Sequence, residues 1–419
     1  MGLMKSWVTS ANSATTDFPL NNLPCGVFSE ADEDPRCGMA IGDFILDLTS
    51  LEGEGLLKLA DQPLFDVPFW NELMDQGPAV WANLRAEVTA LLADGSSKRY
   101  LIEDHLVPMA GAKLHMPFLV SEYTDFYSGR HHATNVGTMF RDPAHALPPN
   151  WLHIPIGYNG RASSVVVSGT DVRRPWGQLK SAGADLPIFS PSKRFDFEME
   201  LGAVIGTSSE GMVSVAAADA MIFGYVLLND WSARDIQTWE YQPLGPFQAK
   251  ATATTISPWV VMSAALEPFR TSTPPRDAAL LPHLVEPGPM LYDIALEVGL
   301  TPEGGEETVI SRTNYSEMYY SAPQQLCHHT TSGCVMNVGD LLGSGTISGA
   351  EKGSRGSMLE LSWGGKEPVT IAGGTRSFIE DGDAISMRGA ALGDGFRIGF
   401  GACTGQLIAA HENPVGAGG

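Results

Sequence analysis

Many short runs of this chain alternate between apolar and polar residues, the period of strands that turn one face to a core. The alternation predicts strands at Ser163–Ser168, Arg194–Ile205, Phe223–Asn229, Trp259–Met262, Tyr292–Leu300, Met358–Trp363, Ala384–Arg388 and Phe396–Phe400. Gly38–Leu48 reads as a hairpin turning at Gly42-Asp43. Helical spacing covers residues 66–94, with Val80, Leu84, Val88, Leu91 and Leu92 on one face, and two further stretches at 214–221 and 314–330. Gly95-Ser96-Ser97 stops the first helix, and Pro268–Pro289 reads as surface loop. The pattern changes near residue 115. A small α+β unit at 1–115 is expected to precede a mixed, mostly β region at 116–419.

Composition supports this picture. Gly 46 and Pro 28 suit a β-rich chain full of turns, and 43% hydrophobic with 18% charged residues is globular. A net charge of −22 opposes binding to a phosphate backbone, so nucleic acid is not an expected partner. A small anion held by local Arg and Lys remains compatible. No run of 18 apolar residues exists, so no membrane span is expected. Met1–Phe18 lacks the apolar stretch of a secretory leader. The cysteines at 25, 37, 327, 334 and 403 are odd in number and form no dense framework, which points to a reducing, cytosolic setting.

Candidate chemistry begins in Phe195–Gly206. Its odd positions are apolar, and its even positions carry Asp196, Glu198 and Glu200, about 7 Å apart along a strand face. Such a face is either wet or a site for a hard cation, since Mg²⁺ and Ca²⁺ take several converging carboxylate oxygens. Asp125–Asn135 packs an acid, a phenol, a guanidinium and the imidazoles of His131 and His132 into a turn-like segment. In Asn229–Tyr241 an apolar run ends in Asp230, and Arg234, Gln237 and Tyr241 fall on one side of a helical turn. Lys250 follows the stiff Pro243-Leu244-Gly245-Pro246 loop and is either a fixed cation or solvated. Glu360 lies opposite the Leu359/Leu361/Trp363 face, and would matter if it oriented a histidine. Cys327-His328-His329 with Cys334 has zinc-ligand types but no second cluster, so packing is the better reading. The glycine runs lack P-loop and Rossmann spacing, and no G-x-S-x-G occurs.

Several blocks together resemble one family: Tyr123–Tyr127, His132–Gly137, Asn150–His153, Gly160–Ser164, Asn229–Gln237 and Gly345–Gly349 are similar to the fumarylacetoacetate hydrolase family, in its fumarylacetoacetase type. The likeness runs from about Phe18 to about residue 410, weakest across 50–115 and 265–290. It implies an SH3-like N-terminal barrel, a larger mixed β-roll catalytic domain and a homodimer. It also implies hydrolysis of the carbon–carbon bond of 4-fumarylacetoacetate, a small anionic diketone, to fumarate and acetoacetate, the last step of tyrosine and phenylalanine breakdown. On the matching positions, Asp125, Glu198, Glu200 and Asp230 would hold Ca²⁺ or Mg²⁺, with a second, structural Mg²⁺ near Asp230, Lys250 and Thr254. His132 would be the base and Glu360 its partner. Arg234, Gln237 and Lys250 would stabilise the oxyanion, and Tyr127, Arg141, Tyr158, Gln237, Tyr241 and Thr346 would contact substrate. His131, next to the base, is a local departure; on an extended backbone it would point away from His132. The competing expectations are a relative acting on acylpyruvates or other 1,3-diketones as hydrolase, decarboxylase or isomerase, and a non-catalytic, metal-bound binding protein.

Overall fold

The alternating runs pair into a small five-stranded N-terminal sheet, an eight-stranded sheet and a second five-stranded sheet, beside several two-stranded ribbons, in a computed structural model that describes residues 2–31, 33–413 and 416. The small sheet is antiparallel throughout, in the order Leu106–Pro108, Phe44–Asp47, Arg36–Ile41, Cys25–Ser29, Lys113–His115. Its hairpin turns at Gly42-Asp43, where Gly42 takes φ +58°, a conformation glycine reaches without steric cost. The expected helix over 66–94 is instead two helices, Asn71–Asp75 and Pro78–Leu92. Gly77, at φ +81°, breaks the chain between them, and Pro78 restarts it at the position where a missing N–H costs nothing. Trp81, Leu84, Val88, Leu91 and Leu92 form the buried face.

The largest sheet positions the chemistry. Its path runs Gly157–Asn159, Tyr123–Phe126, Leu341–Gly343, Met199–Ile205, Ile222–Asp230, Thr254–Ile256, Val165–Val167, and Val261–Met262 also pairs with Ile222–Asp230. A third sheet, in the order Thr308–Asn314, Ala295–Thr301, Ala384–Leu392, Arg397–Ile408, Val172–Arg173, shares one apolar core with it through Leu201, Leu227, Leu296, Met387 and Phe400. The architecture is therefore mostly β with added helices: a small N-terminal sheet unit followed by a large curled-sheet unit.

Several local expectations differ from the structure. Met358–Trp363 is not a strand: Met358–Leu361 is one helical turn, with Ser357 Oγ accepting from the Glu360 amide. The Ser-x-x-Glu spacing of a capping box is present in the sequence and outweighs the short alternation. Phe195–Gly206 is interrupted at 197–198, and both its faces are buried, so the wet-face reading fails. Asp125–Asn135 is the end of strand Tyr123–Phe126 followed by helix Arg130–Phe140. Tyr292–Leu300 divides between two sheets, and 314–330 contains only a short turn and the helix Ala322–Thr330. In the 268–289 loop, Leu284 is fully buried.

An aromatic seam joins the small unit to the large sheet. Trp70 is fully buried against Phe65 and Phe223, and its indole N–H donates to the Gly26 carbonyl at 2.8 Å. Leu73, Trp81, Val204, Val226 and Leu228 belong to the same core. Trp70→Ala is expected to lose about 3–5 kcal/mol of stability. Trp70→Phe, which keeps a ring but strands the Gly26 carbonyl, should lose about 1–3 kcal/mol. Urea unfolding midpoints check both values.

Candidate active site

Four carboxylates meet at one end of the large sheet. Asp125 lies on strand Tyr123–Phe126, Glu200 on Met199–Ile205, Asp230 at the end of Ile222–Asp230, and Glu198 just before Met199. Each offers an oxygen within 4.8 Å of the others', and all four residues are buried. The strand Leu341–Gly343 passes between the first two with Gly343 level with Asp125. A Cβ at Gly343 would stand 3.0 Å from Glu200 Oε2 and 3.2 Å from Asp125 Oδ1, so glycine gives the acids their room.

Two cations face the acids. Lys250 Nζ pairs with Glu198 and Asp230. Arg234, the first residue of helix Arg234–Glu240, donates to Glu198 Oε1 at 2.5 Å. Burial alone would raise Glu198, but Arg234 and Lys250 outweigh it and hold this carboxyl well below the usual range. Glu200 goes the other way: burial, then the charges of Asp125, Asp230 and Glu198, push it well up. Burial likewise raises Asp230 against the pull of Lys250. Asp125 Oδ1, Glu200 Oε1, Asp230 Oδ1 and Thr254 Oγ1 are buried without hydrogen-bond partners. Repelling carboxylates with orphaned oxygens and no water access are what a hard divalent cation satisfies, so the donor set fits one. Lys250 itself is a charged neighbour, raised by Asp230 and Glu198 despite its burial, and an ammonium has no lone pair to offer a metal.

His132 stands beside this cluster. It lies on helix Arg130–Phe140, with Nδ1 2.6 Å from Glu360 Oε2 and Nε2 3.7 Å from Glu198 Oε1. Hydrogen bonds and the imidazole together hold Glu360 below the ordinary carboxylate range in spite of full burial. An ionised carboxylate only accepts, so Nδ1 carries the proton, and Nε2 faces the acids. Gly129 caps this helix without a side chain because a Cβ there would meet the Thr346 carbonyl at 2.2 Å. His131 points elsewhere, its Nε2 3.4 Å from Glu317; helical geometry, rather than an extended backbone, separates the two rings.

The other expected residues are distributed around this centre. Tyr158 OH donates to Asp125 at 2.8 Å and is 3.4 Å from Asp230, so it touches the acids themselves. The Tyr127 ring meets the His132 ring edge-on at 5.5 Å, and its phenol, raised by burial, senses Arg141, Glu360, Glu198 and Arg234. Gln237 Oε1 accepts from Arg234 at 3.2 Å, and Thr346 is buried on the loop behind Gly129. Arg141 and Tyr241 are exposed, with Tyr241 OH engaged by Gln242 rather than by the acids. Among the described residues Cys327 donates to the His283 carbonyl, His329 pairs with Thr124, and Cys334 is exposed, so those side chains form no metal cluster.

Sequence reasoning missed the cradle of Glu360. Asn135 Nδ2 donates to its Oε1 at 2.8 Å, and Ser348 and Ser357 donate to Oε2 at 2.9 and 2.8 Å. Asn135 lies three residues after His132, a spacing that places both on one helix side. Ser357 was visible in the capping box. Nothing local marked Ser348.

A family model described as fumarylacetoacetate (FAA) hydrolase C-terminal matches residues 122–407, and one described as fumarylacetoacetase N-terminal matches residues 21–117. The fumarylacetoacetase of Bos taurus is 47% identical over 406 residues, covering 94% of this chain and 97% of the relative. That of Arabidopsis thaliana is 44% identical over 422 residues, covering 97% and 99%. Among solved structures, a fumarylacetoacetate hydrolase from psychrophilic Exiguobacterium antarcticum aligns with TM-score 0.54 at 18% identity, over 92% of this chain and 99% of that one, a likeness of fold.

The charge imbalance predicts a thermal response. Mg²⁺ or Ca²⁺ at a hundred times its Kd should stabilise the parent by about 2.7 kcal/mol, and a chelator should reverse this. Glu200→Gln, which removes a repelled charge, should melt higher than the cation-free parent and respond less to cation. Differential scanning calorimetry with and without chelator checks both.

Proposed function

We propose a function from one premise: the chain belongs to the fumarylacetoacetate hydrolase family. It is a hydrolase that cleaves 4-fumarylacetoacetate with water to fumarate and acetoacetate, the closing step of tyrosine and phenylalanine breakdown. The observation that carries this reading at the site is an imidazole, held by Glu360, facing four converging carboxylates.

The residue roles are those the family resemblance implies, and the geometry and charge around the acids support the central ones. Asp125, Glu198, Glu200 and Asp230 hold Mg²⁺ or Ca²⁺ in our reading, and such a cation, when bound, supplies Lewis-acid stabilisation of negative charge on the diketone oxygens. The orphaned oxygens of Asp230 and Thr254 support a further Mg²⁺ near Lys250, with Lys250 a neighbouring charge rather than a donor. His132 Nε2 takes a proton from water, a general-base step that supplies roughly 10²–10⁴-fold. The water oxygen attacks the carbonyl carbon of the fumaryl group, the ketone conjugated with its double bond, and the carbonyl electrons move onto its oxygen. Arg234, Gln237 and Lys250 meet that charge, at about 3–4 kcal/mol for one good donor. Collapse of the alkoxide breaks the carbon–carbon bond. Its electron pair leaves as the acetoacetate enolate, which regains the proton from His132. Tyr127, Arg141, Tyr158, Gln237, Tyr241 and Thr346 hold the substrate's carboxylates and oxygens, with Arg141 suited to pair with a carboxylate.

The division into 1–115 and 116–419 completes the reading, supported by the change of sheet after His115. A homodimer is supported by the exposed apolar side chains Leu186, Phe189, Leu244 and Phe247. A cytosolic address is supported by five unpaired thiols, and no helix among the described residues is long and apolar enough to cross a membrane.

Loss of fumarylacetoacetate absorbance should require a divalent cation, vanish with a chelator and return when Mg²⁺ or Ca²⁺ is restored. Turnover of an acylpyruvate by cation-loaded protein that leaves fumarylacetoacetate untouched would overturn the assignment. His132→Ala should lower kcat about 10²–10⁴-fold with cation affinity by calorimetry unchanged. An unaffected rate would point to a binding protein or another base.

A further inference from the structure

Asp196 shares its stretch of chain with Glu198 and Glu200 but takes no place among the four clustered acids. It is fully buried, and its carboxylate accepts four N–H groups. Oδ1 takes the Phe197 amide at 2.8 Å and the Met358 amide at 2.7 Å. Oδ2 takes Arg234 Nε at 2.8 Å and the Leu359 amide at 3.0 Å. All four acceptor positions of an ionised carboxylate are thus used, and none is left for water.

The partners matter more than their number. Arg234 reaches from Asp196 to Glu198 and Gln237. Met358 and Leu359 open the helical turn whose next residue is Glu360, the acceptor of the His132 Nδ1 proton. A counter-ion for Arg234 is already present in Glu198, and a cap for the turn is already present in Ser357. What Asp196 adds is a rigid planar bridge between the two.

We propose that Asp196 is a positioning residue: it locks the Arg234 guanidinium to the turn bearing Glu360, so that the oxyanion donor and the His132–Glu360 pair keep one fixed relation across the acidic cluster. This rests on the roles given above to Arg234 and His132. A misplacement of about 1 Å can cost on the order of 10²-fold in rate, and neither Arg234 nor the one-turn helix has the length of regular structure that would fix it alone.

Asp196→Asn keeps the shape, removes the charge and replaces one acceptor by a donor. The expected result is a fall in kcat of about 10–100-fold, with KM and calorimetric cation affinity at parental values. In substrate-free protein labelled at histidine nitrogen, the proton resonance of His132 Nδ1–H should move as the contact to Glu360 loosens. A role confined to stability would lower the melting temperature and leave both kcat and that resonance alone. Asp196→Ser, which leaves an oxygen near the amides and no charge for Arg234, replaces the asparagine variant should that one fail to fold, with the same expectation. Parental kcat, an unmoved resonance, or a cation affinity that falls in step with kcat would each overturn the proposal. A parent protein inactive on fumarylacetoacetate would sink the functional reading instead, while the resonance still tests the link from Asp196 to His132.

Discussion

Four like charges held together out of water are the constraint around which this molecule is arranged. Taking a carboxylate out of water costs several kcal/mol, and neighbouring negative charges add to that cost. Asp125, Glu198, Glu200 and Asp230 are all buried and all within reach of one point. Only a stiff scaffold can hold them there. Adjacent strands of one sheet provide it, with Glu200 opposite Leu228 and Asp125 opposite Gly343 in register. Lys250 and Arg234 bring positive charge to these acids, with Arg234 shared with Asp196, so negative charge is left over for a divalent cation to offset.

The same charges organise the imidazole. Glu198 is the shared element: Arg234 and Lys250 pair with it, and His132 Nε2 faces it. On the far side of the ring, Glu360 is pinned by Asn135, Ser348 and Ser357, so the ring sits between an orienting acid and the reacting centre. These bonds lie in a buried interior, where electrostatic contacts are stronger and errors of placement more damaging. Asp196 extends this order sideways, from the guanidinium to the turn that carries Glu360.

Packing sets the limits within which that order works. Gly129 and Gly343 stand where backbone must pass close to the loop at Thr346 and to the acids, and a single methyl group would collide at the first and crowd the second. Trp70 and Phe223 tie the small unit to the sheet that bears the acids, so stability of the N-terminal part and geometry of the site are linked through one apolar core. The residues nearest solvent, Tyr241, Leu244 and Phe247, follow the helix that Arg234 begins, which places the least packed part of the region at its rim.

Local pattern and block resemblance were enough to read the β-rich class, the hairpin at Gly42-Asp43, a helix at 214–221, observed as Val215–Met221, and the family. They also singled out Asp125, Glu198, Glu200, Asp230, His132 and Glu360 as candidates, because short-range alternation and ordered motifs are properties of neighbours in the chain. The capping box at Ser357 is equally local, and in the structure it prevails over the apparent strand. What tertiary structure alone decided was burial and direction. Whether the even face of Phe195–Gly206 met water or other acids depended on Asp125 and Asp230 arriving from distant strands. Whether Lys250 was free or paired, and whether Asp196 served the cation or the Arg234–Glu360 link, depended on contacts 20 to 163 residues apart. Side-chain charge is written in the sequence; the dielectric around it and the partner opposite it exist only once the chain has closed.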